Sequence, residues 1–84
     1  MNKNDTRTGV IDLLDVFAKE YGLKFVWSIE RRPDGCMTVQ FKKDDGQGLT
    51  YRITAREIEA ANGNSVAIAM NITDMVRHKF GMED

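Results

Sequence analysis

Cysteine, proline, histidine and tryptophan each occur once in the 84 residues. A lone Cys36 excludes an internal disulfide and suits a reducing compartment, so a cytoplasmic location is expected. A lone His78 between Arg77 and Lys79 excludes a histidine-rich metal set and reads as one of several cations closing a helix. Charge of one sign is lacking too: 12 basic residues face 13 acidic ones, a formal net charge of −1. No whole-molecule field therefore draws in nucleic acid or an anionic membrane. No secretory hydrophobic region is seen, and no apolar run approaches the ~18 residues of a spanning helix, so no membrane association is expected. What remains is a chain 42% hydrophobic, enough for a single modest core.

The chain is organised around residues 23 to 54. Leu23, Phe25, Trp27 and Ile29 alternate with Lys24, Val26, Ser28 and Glu30, the period of a half-buried strand. Arg32-Pro33-Asp34-Gly35 supplies turn chemistry, and a second alternation sets Met37, Val39 and Phe41 against Cys36, Thr38, Gln40 and Lys42. Asp44-Asp45-Gly46-Gln47-Gly48 turns the chain again, and Leu49, Tyr51 and Ile53 give a third inward row. Two short connections between three strands predict an antiparallel meander. One face is apolar, with Trp27 and Phe41 as its bulkiest members, and must be covered by helices. The other carries Lys24, Ser28, Glu30, Thr38, Gln40, Lys42 and Arg52 and can stay wet.

On either side of the meander the period becomes helical. Residues 1 to 7 are polar and aperiodic and read as a flexible tail, leaving one domain over residues 8 to 82. Thr8 is the expected N-cap of a helix whose inner face is Val10, Leu13, Leu14, Phe17 and Tyr21, with Gly22 as its stop. After the third strand, Thr54 and Glu57 have capping-box spacing for a short helix over residues 55 to 61, closed by Asn62-Gly63. Asn64 or Ser65 caps a last helix with the stripe Ile68, Ala69, Ile72, Met75, Val76 and Phe80, and Gly81 ends it. The fold class expected is α+β: a helix, a three-stranded antiparallel meander and two helices, packed on one sheet face.

No catalytic or metal-binding constellation emerges. Cys36 has no activating base in the sequence around it. Asp44-Asp45-Gly46 lacks the alternating oxygen ligands and distal glutamate of a calcium loop. Gly46 and Gly48 precede neither a Lys-Ser/Thr pair nor a helix, so they form no phosphate loop. The expectation is a non-enzyme without cofactor or metal, acting through its surfaces. Asp12, Asp15 and Glu20 on the first helix, with Asp44 and Asp45 in the second turn, are the candidate protein-binding residues, suited to a basic partner. Lys24, Lys42 and Arg52, sharing the open sheet face, are the alternative: a nucleic-acid interface through phosphate contacts.

This order of elements resembles that of a compact phage-encoded Cas9-inhibiting anti-CRISPR protein. The polar MNKND start and the turn-rich DDGQG hairpin are likewise similar to small phage proteins. The resemblance lies in topology and rests on no motif. It implies a cytoplasmic protein of phage or mobile-element type that occupies a surface of a host nuclease. Inhibitors of that type are acidic DNA mimics, whereas here the carboxylates available to such a role are scattered: Asp12, Asp15, Asp44, Asp45, Glu57 and Glu59. The outline also resembles a double-stranded-RNA-binding domain, but residues 64 to 69 carry no Lys or Arg to open the last helix.

Overall fold

A computed structural model describes residues 6–32 and 35–82. Along the chain lie α1 (Thr6–Tyr21), β1 (Lys24–Ile29), β2 (Met37–Lys42), β3 (Gly48–Ile53), α2 (Ala55–Ala60) and α3 (Ser65–Lys79). The strands form one antiparallel sheet in the order β1-β2-β3, so the α+β meander expected from the alternation is what the chain adopts. Register places Phe25 beside Phe41 and Leu49, and Trp27 beside Val39 and Tyr51, which keeps each inward row on one face. In the 43–47 turn, Lys43 and Gln47 close the ladder and Gly46 takes the positive φ of 96° that the tight return needs. Pro33 and Asp34 of the first turn lie outside the described residues, as do residues 1 to 5.

The core is built where α1 and α3 lie side by side over the central strand. Met37, Val39 and Phe41 of β2 are wholly buried with Ile53, and the helices add Val10, Leu14 and Phe17 on one side and Ile68, Ile72 and Val76 on the other. Phe41 is the hub: Phe25 stacks on it at 5.0 Å and Phe17 meets it edge-on at 6.0 Å. The two helices run parallel. Near their starts Ser65 Oγ donates to Thr6 O at 3.4 Å and Thr6 Oγ1 to Gly63 O at 3.3 Å; at their ends the Arg77 guanidinium lies near the Tyr21 hydroxyl. Caps follow the sequence signals. Thr54 and Glu57 form a reciprocal capping box, Asn64 Oδ1 accepts from Ala67 N, and Gly22 and Gly81 turn left-handed after α1 and α3.

Four expectations are corrected. Trp27 is 49% exposed rather than core. The reason is lateral: β1 is the outermost strand, so its covering helix meets a side chain on one flank only, and an indole is too large to be enclosed from one side. The first helix starts at Thr6, two residues before the expected cap Thr8, so Thr6 and Arg7 belong to the domain and not to a tail. Arg7 is in fact 4% exposed, with Nη1 donating to Glu30 O at 2.9 Å and to Gly35 O at 3.3 Å across the β1–β2 connection. Lastly, Leu13, Tyr21 and Met75 are partly exposed, and Ile11 and Ala18 take the inner positions on α1. The buried arc is rotated because α1 must face both the sheet and α3, and Leu13 lies about 100° around the helix from Leu14.

Candidate interaction surfaces

The open sheet face is set by the same alternation that builds the core. Its rows are Lys24–Lys42–Gly48, Val26–Gln40–Thr50 and Ser28–Thr38–Arg52. Lys24 and Lys42 are direct cross-strand partners, a like-charge pair with nothing in the strand pairing to offset it. Arg52 stands at the other end, about 13 Å along the strand from Lys42 at the usual rise per residue. There its Nη2 reaches Cys36 Sγ at 3.6 Å, and Glu30 on the same end binds Arg32 at 3.4 Å. The three candidate phosphate-binding residues thus share a face, but only two are neighbours. Between the ends lie Val26, Ser28, Thr38, Gln40 and Thr50, in a shallow depression of about 190 Å³.

The acidic candidates are divided among three places. Asp12 and Asp15 lie on the exposed side of α1, where Asp15 holds Lys19 at 3.2 Å. Glu20, also exposed, sits about 80° from Asp12 and about 140° from Asp15 around the helix. Asp44 and Asp45 are in the second hairpin turn, where Asp45 accepts from Gln47 N at 2.9 Å and pairs with Lys43 at 3.7 Å. That turn borders the end of α1, beside Tyr21, Gly22 and Leu23, and Lys43 in turn covers the Phe80 ring at 5.7 Å.

A third surface has no counterpart in the sequence reading. α2 and α3 straddle the β3 side and leave a groove of about 380 Å³ lined by Ala60, Ala61, Ala67, Ile68, Asn71 and Ile72. At its floor Tyr51 Oη donates to Glu57 Oε2 at 2.6 Å, while Glu57 Oε1 accepts from Thr54 N at 3.2 Å. That hydrogen bond above all, then burial, then the Glu57 charge, pushes the Tyr51 phenol up to about 12. Both carboxylate oxygens of Glu57 are engaged in holding α2 to β3. The pair is therefore a brace, with no proton poised for transfer.

The fourth surface is the outer seam of the helical layer. Parallel α1 and α3 meet start to start, where Ser65 bonds Thr6, and end to end, where Arg77 lies near Tyr21. Leu13 and Val16 of α1 and Val66 and Met70 of α3 are large apolar side chains left outside the core of these two packed helices. All four are exposed, Val16 at 62% and Met70 at 59%. Large apolar side chains exposed on two neighbouring helices make this side of the helical layer a candidate contact surface. Asp12 and Glu20 stand four residues either side of Val16 on α1, and Asp74 four residues after Met70 on α3, so each neighbours one of these side chains along its helix. Alternation along the strands gave no access to this surface, since it arises from how two helices are juxtaposed. Its signal in the sequence was the pair of apolar positions, Val16 and Met70, lying off the inner stripes.

Among the described residues, no group of three or more His, Cys, Asp or Glu is placed to hold a metal ion, and no helix is long and apolar enough to cross a membrane. Comparison with protein-family models, with curated proteins and with solved structures finds no match to the chain.

Proposed function

We propose that the chain is a non-enzymatic binding protein that docks a protein partner on the seam between α1 and α3. The observation that supports this reading is the exposure of Leu13 and Val16 on α1 and of Val66 and Met70 on α3, helices that pack side by side. An apolar strip with an acidic border fits an amphipathic segment whose flanks are basic, its apolar side chains on the seam and its cations near Asp12 and Glu20. Photo-crosslinking tests the placement: a crosslinking residue at Val16 or Met70 should capture the partner, and one at Thr50 on the open sheet face should not. Capture at Thr50 alone would move the function to the sheet. Val16→Asp with Met70→Asp should abolish capture while leaving the helical circular dichroism unchanged.

The narrower form of this reading is an inhibitor of a host nuclease, of phage or mobile-element type and anti-CRISPR-like, working in the cytoplasm. Its support is the element order and the small size. A guide-loaded Cas9 cleavage assay with the protein in excess tests it; unaltered cleavage removes the narrower form and leaves the seam reading standing. A second reading, nucleic-acid contact by the open face, draws on Lys24 lying directly beside Lys42. A gel shift at low salt that weakens in Lys24→Ala and Lys42→Ala would support it, and no shift at tens of micromolar protein would remove it.

A further inference from the structure

The hydrogen bonding of β1 decides which of its backbone groups are already committed. Glu30 N–H donates to Cys36 O at 3.1 Å. Antiparallel ladders alternate, so Ser28, Val26 and Lys24 also turn their backbone groups towards β2, opposite Thr38, Gln40 and Lys42. Phe25, Trp27 and Ile29 therefore turn their N–H and C=O groups to the outer edge, where among the described residues no strand pairs with them. This edge also exposes its apolar side chains: Val26 is 61% accessible, next to the half-exposed Trp27. An unpaired edge of this kind is a template for one more strand.

The strand is self-complementary in one register. Antiparallel pairing with a second copy, about a two-fold axis normal to the sheet, keeps both faces continuous only if each residue opposes one of its own parity. With the axis through Val26, Lys24 meets the copy's Ser28. With the axis through Ser28, Glu30 meets the copy's Val26, a charge against an apolar side chain. With the axis through Trp27, Lys24 meets the copy's Glu30 on the open face, and does so twice by symmetry. The same register sets Phe25 against Ile29 and Trp27 against its own copy on the helix-covered face. It also gives Lys24, crowded by Lys42 within its own sheet, the opposite charge it lacks there. We infer that the chain forms a homodimer through β1, centred on Trp27, joining two three-stranded sheets into one of six strands. The β3 edge offers no such match. Lys43 N–H donates to Gln47 O, so the alternation turns the backbone groups of Gly48, Thr50 and Arg52 outward there, and self-pairing sets no opposite charges together.

Two measurements on the full chain test this. In a Cys36→Ser background, Trp27→Cys should form an intermolecular disulfide on mild oxidation. Hydrogen-bonded antiparallel partners have Cα atoms about 5.5 Å apart, inside the range a disulfide spans. Phe25→Cys and Ile29→Cys should each form no intermolecular disulfide alone and should crosslink when mixed. Sedimentation equilibrium should show a dimer that Lys24→Glu or Glu30→Lys weakens by about tenfold or more, and that the double swap restores. A protein that stays monomeric at millimolar concentration overturns the proposal. So does crosslinking through Val26→Cys in preference to Trp27→Cys, a series of species larger than a dimer, or a double swap no better than either single one.

Discussion

The two edge strands have the same length, six residues each, and opposite characters. β3 is tied on several sides. Its last residue, Ile53, is fully buried, Thr54 caps α2 immediately after it, and Tyr51 is bonded to Glu57 of that helix. β1 rests under α1 and is fastened at its end by Arg7, while Val26 and Trp27 face water. An edge that is braced by the next element has no need of a partner, and its outward side chains, Thr50 and Arg52, are polar. An edge fastened at one end, with large apolar side chains outside, has stabilisation still to gain from contact. The difference follows from connectivity: β3 leads straight into a helix, whereas β1 is followed by the connection that Arg7 holds.

The largest test of this contrast removes the fastening of β1. Arg7→Ala deletes two charge-assisted hydrogen bonds to the carbonyls of Glu30 and Gly35 and leaves those acceptors under α1 without that donor. Urea denaturation should show a loss of about 1.5–3 kcal/mol, the range for hydrogen bonds made by charged groups. A loss no larger than that of an exposed α1 substitution such as Lys19→Ala would mean β1 is held by packing alone.

Next in size is the brace of β3. Tyr51→Phe removes the bond to Glu57 and should cost about 1–2 kcal/mol at neutral pH. The cost has a pH signature with a definite sign. The folded phenol is raised to about 12 from 10.0, so its contribution is complete below pH 10 and is lost as pH climbs from there through 12. The stability difference between wild type and Tyr51→Phe should therefore narrow over that window and be constant below it. A difference that does not change between pH 10 and 12 would show that the phenol is not braced by the carboxylate.

Smaller still is the contact that sets α1, and with it the roof of β1, against α3. A Cβ on Gly9 would lie 2.6 Å from Ser65 Oγ and 3.1 Å from Ser65 Cβ. Alanine is ordinarily the better helix residue by about 1 kcal/mol, yet here Gly9→Ala should destabilise by roughly 1 kcal/mol because the helices must part to admit it. Ser65→Gly in the same chain should recover the loss. A simple gain in melting temperature for Gly9→Ala would show that the two helix starts have room to spare.

The contrast between the edges also marks what the sequence makes legible. Strand pairing, the capping box at Thr54 and Glu57, and the left-handed glycines at 22 and 81 are local events, written in neighbouring residues, and they are where the alternation and cap signals put them. Trp27 reads as core because alternation tells which face a side chain takes, not whether the strand is central or peripheral. Arg7 reads as tail because its partners are carbonyls of Glu30 and Gly35, and carbonyls leave no mark in a sequence. Leu13, Val16, Val66 and Met70 belong to two helices more than forty residues apart along the chain, so no window on one segment brings them together. Lys24 and Lys42 could be placed on one face from the sequence, but that they stand directly opposite needed the register.

The smallest expected effect makes the sharpest use of that register. Lys24→Glu replaces a like-charge cross-strand pair by an attractive one with Lys42, so within one chain it should raise stability slightly, by about 0.2–0.5 kcal/mol. The corresponding change on the braced side, Arg52→Glu, removes a donor to Cys36 Sγ and should be neutral or slightly destabilising. These shifts are near the limit of a denaturation curve, so they are best read as differences in urea midpoint at low ionic strength, where exposed charges are least screened. The value of Lys24→Glu lies in the two signs it combines. The single chain becomes more stable while association through β1 becomes weaker, and no general loss of folding produces both. If salt erased the gain in midpoint yet left the β1 contact as weak as before, the charge at residue 24 would be acting through packing rather than through Glu30 of the second copy.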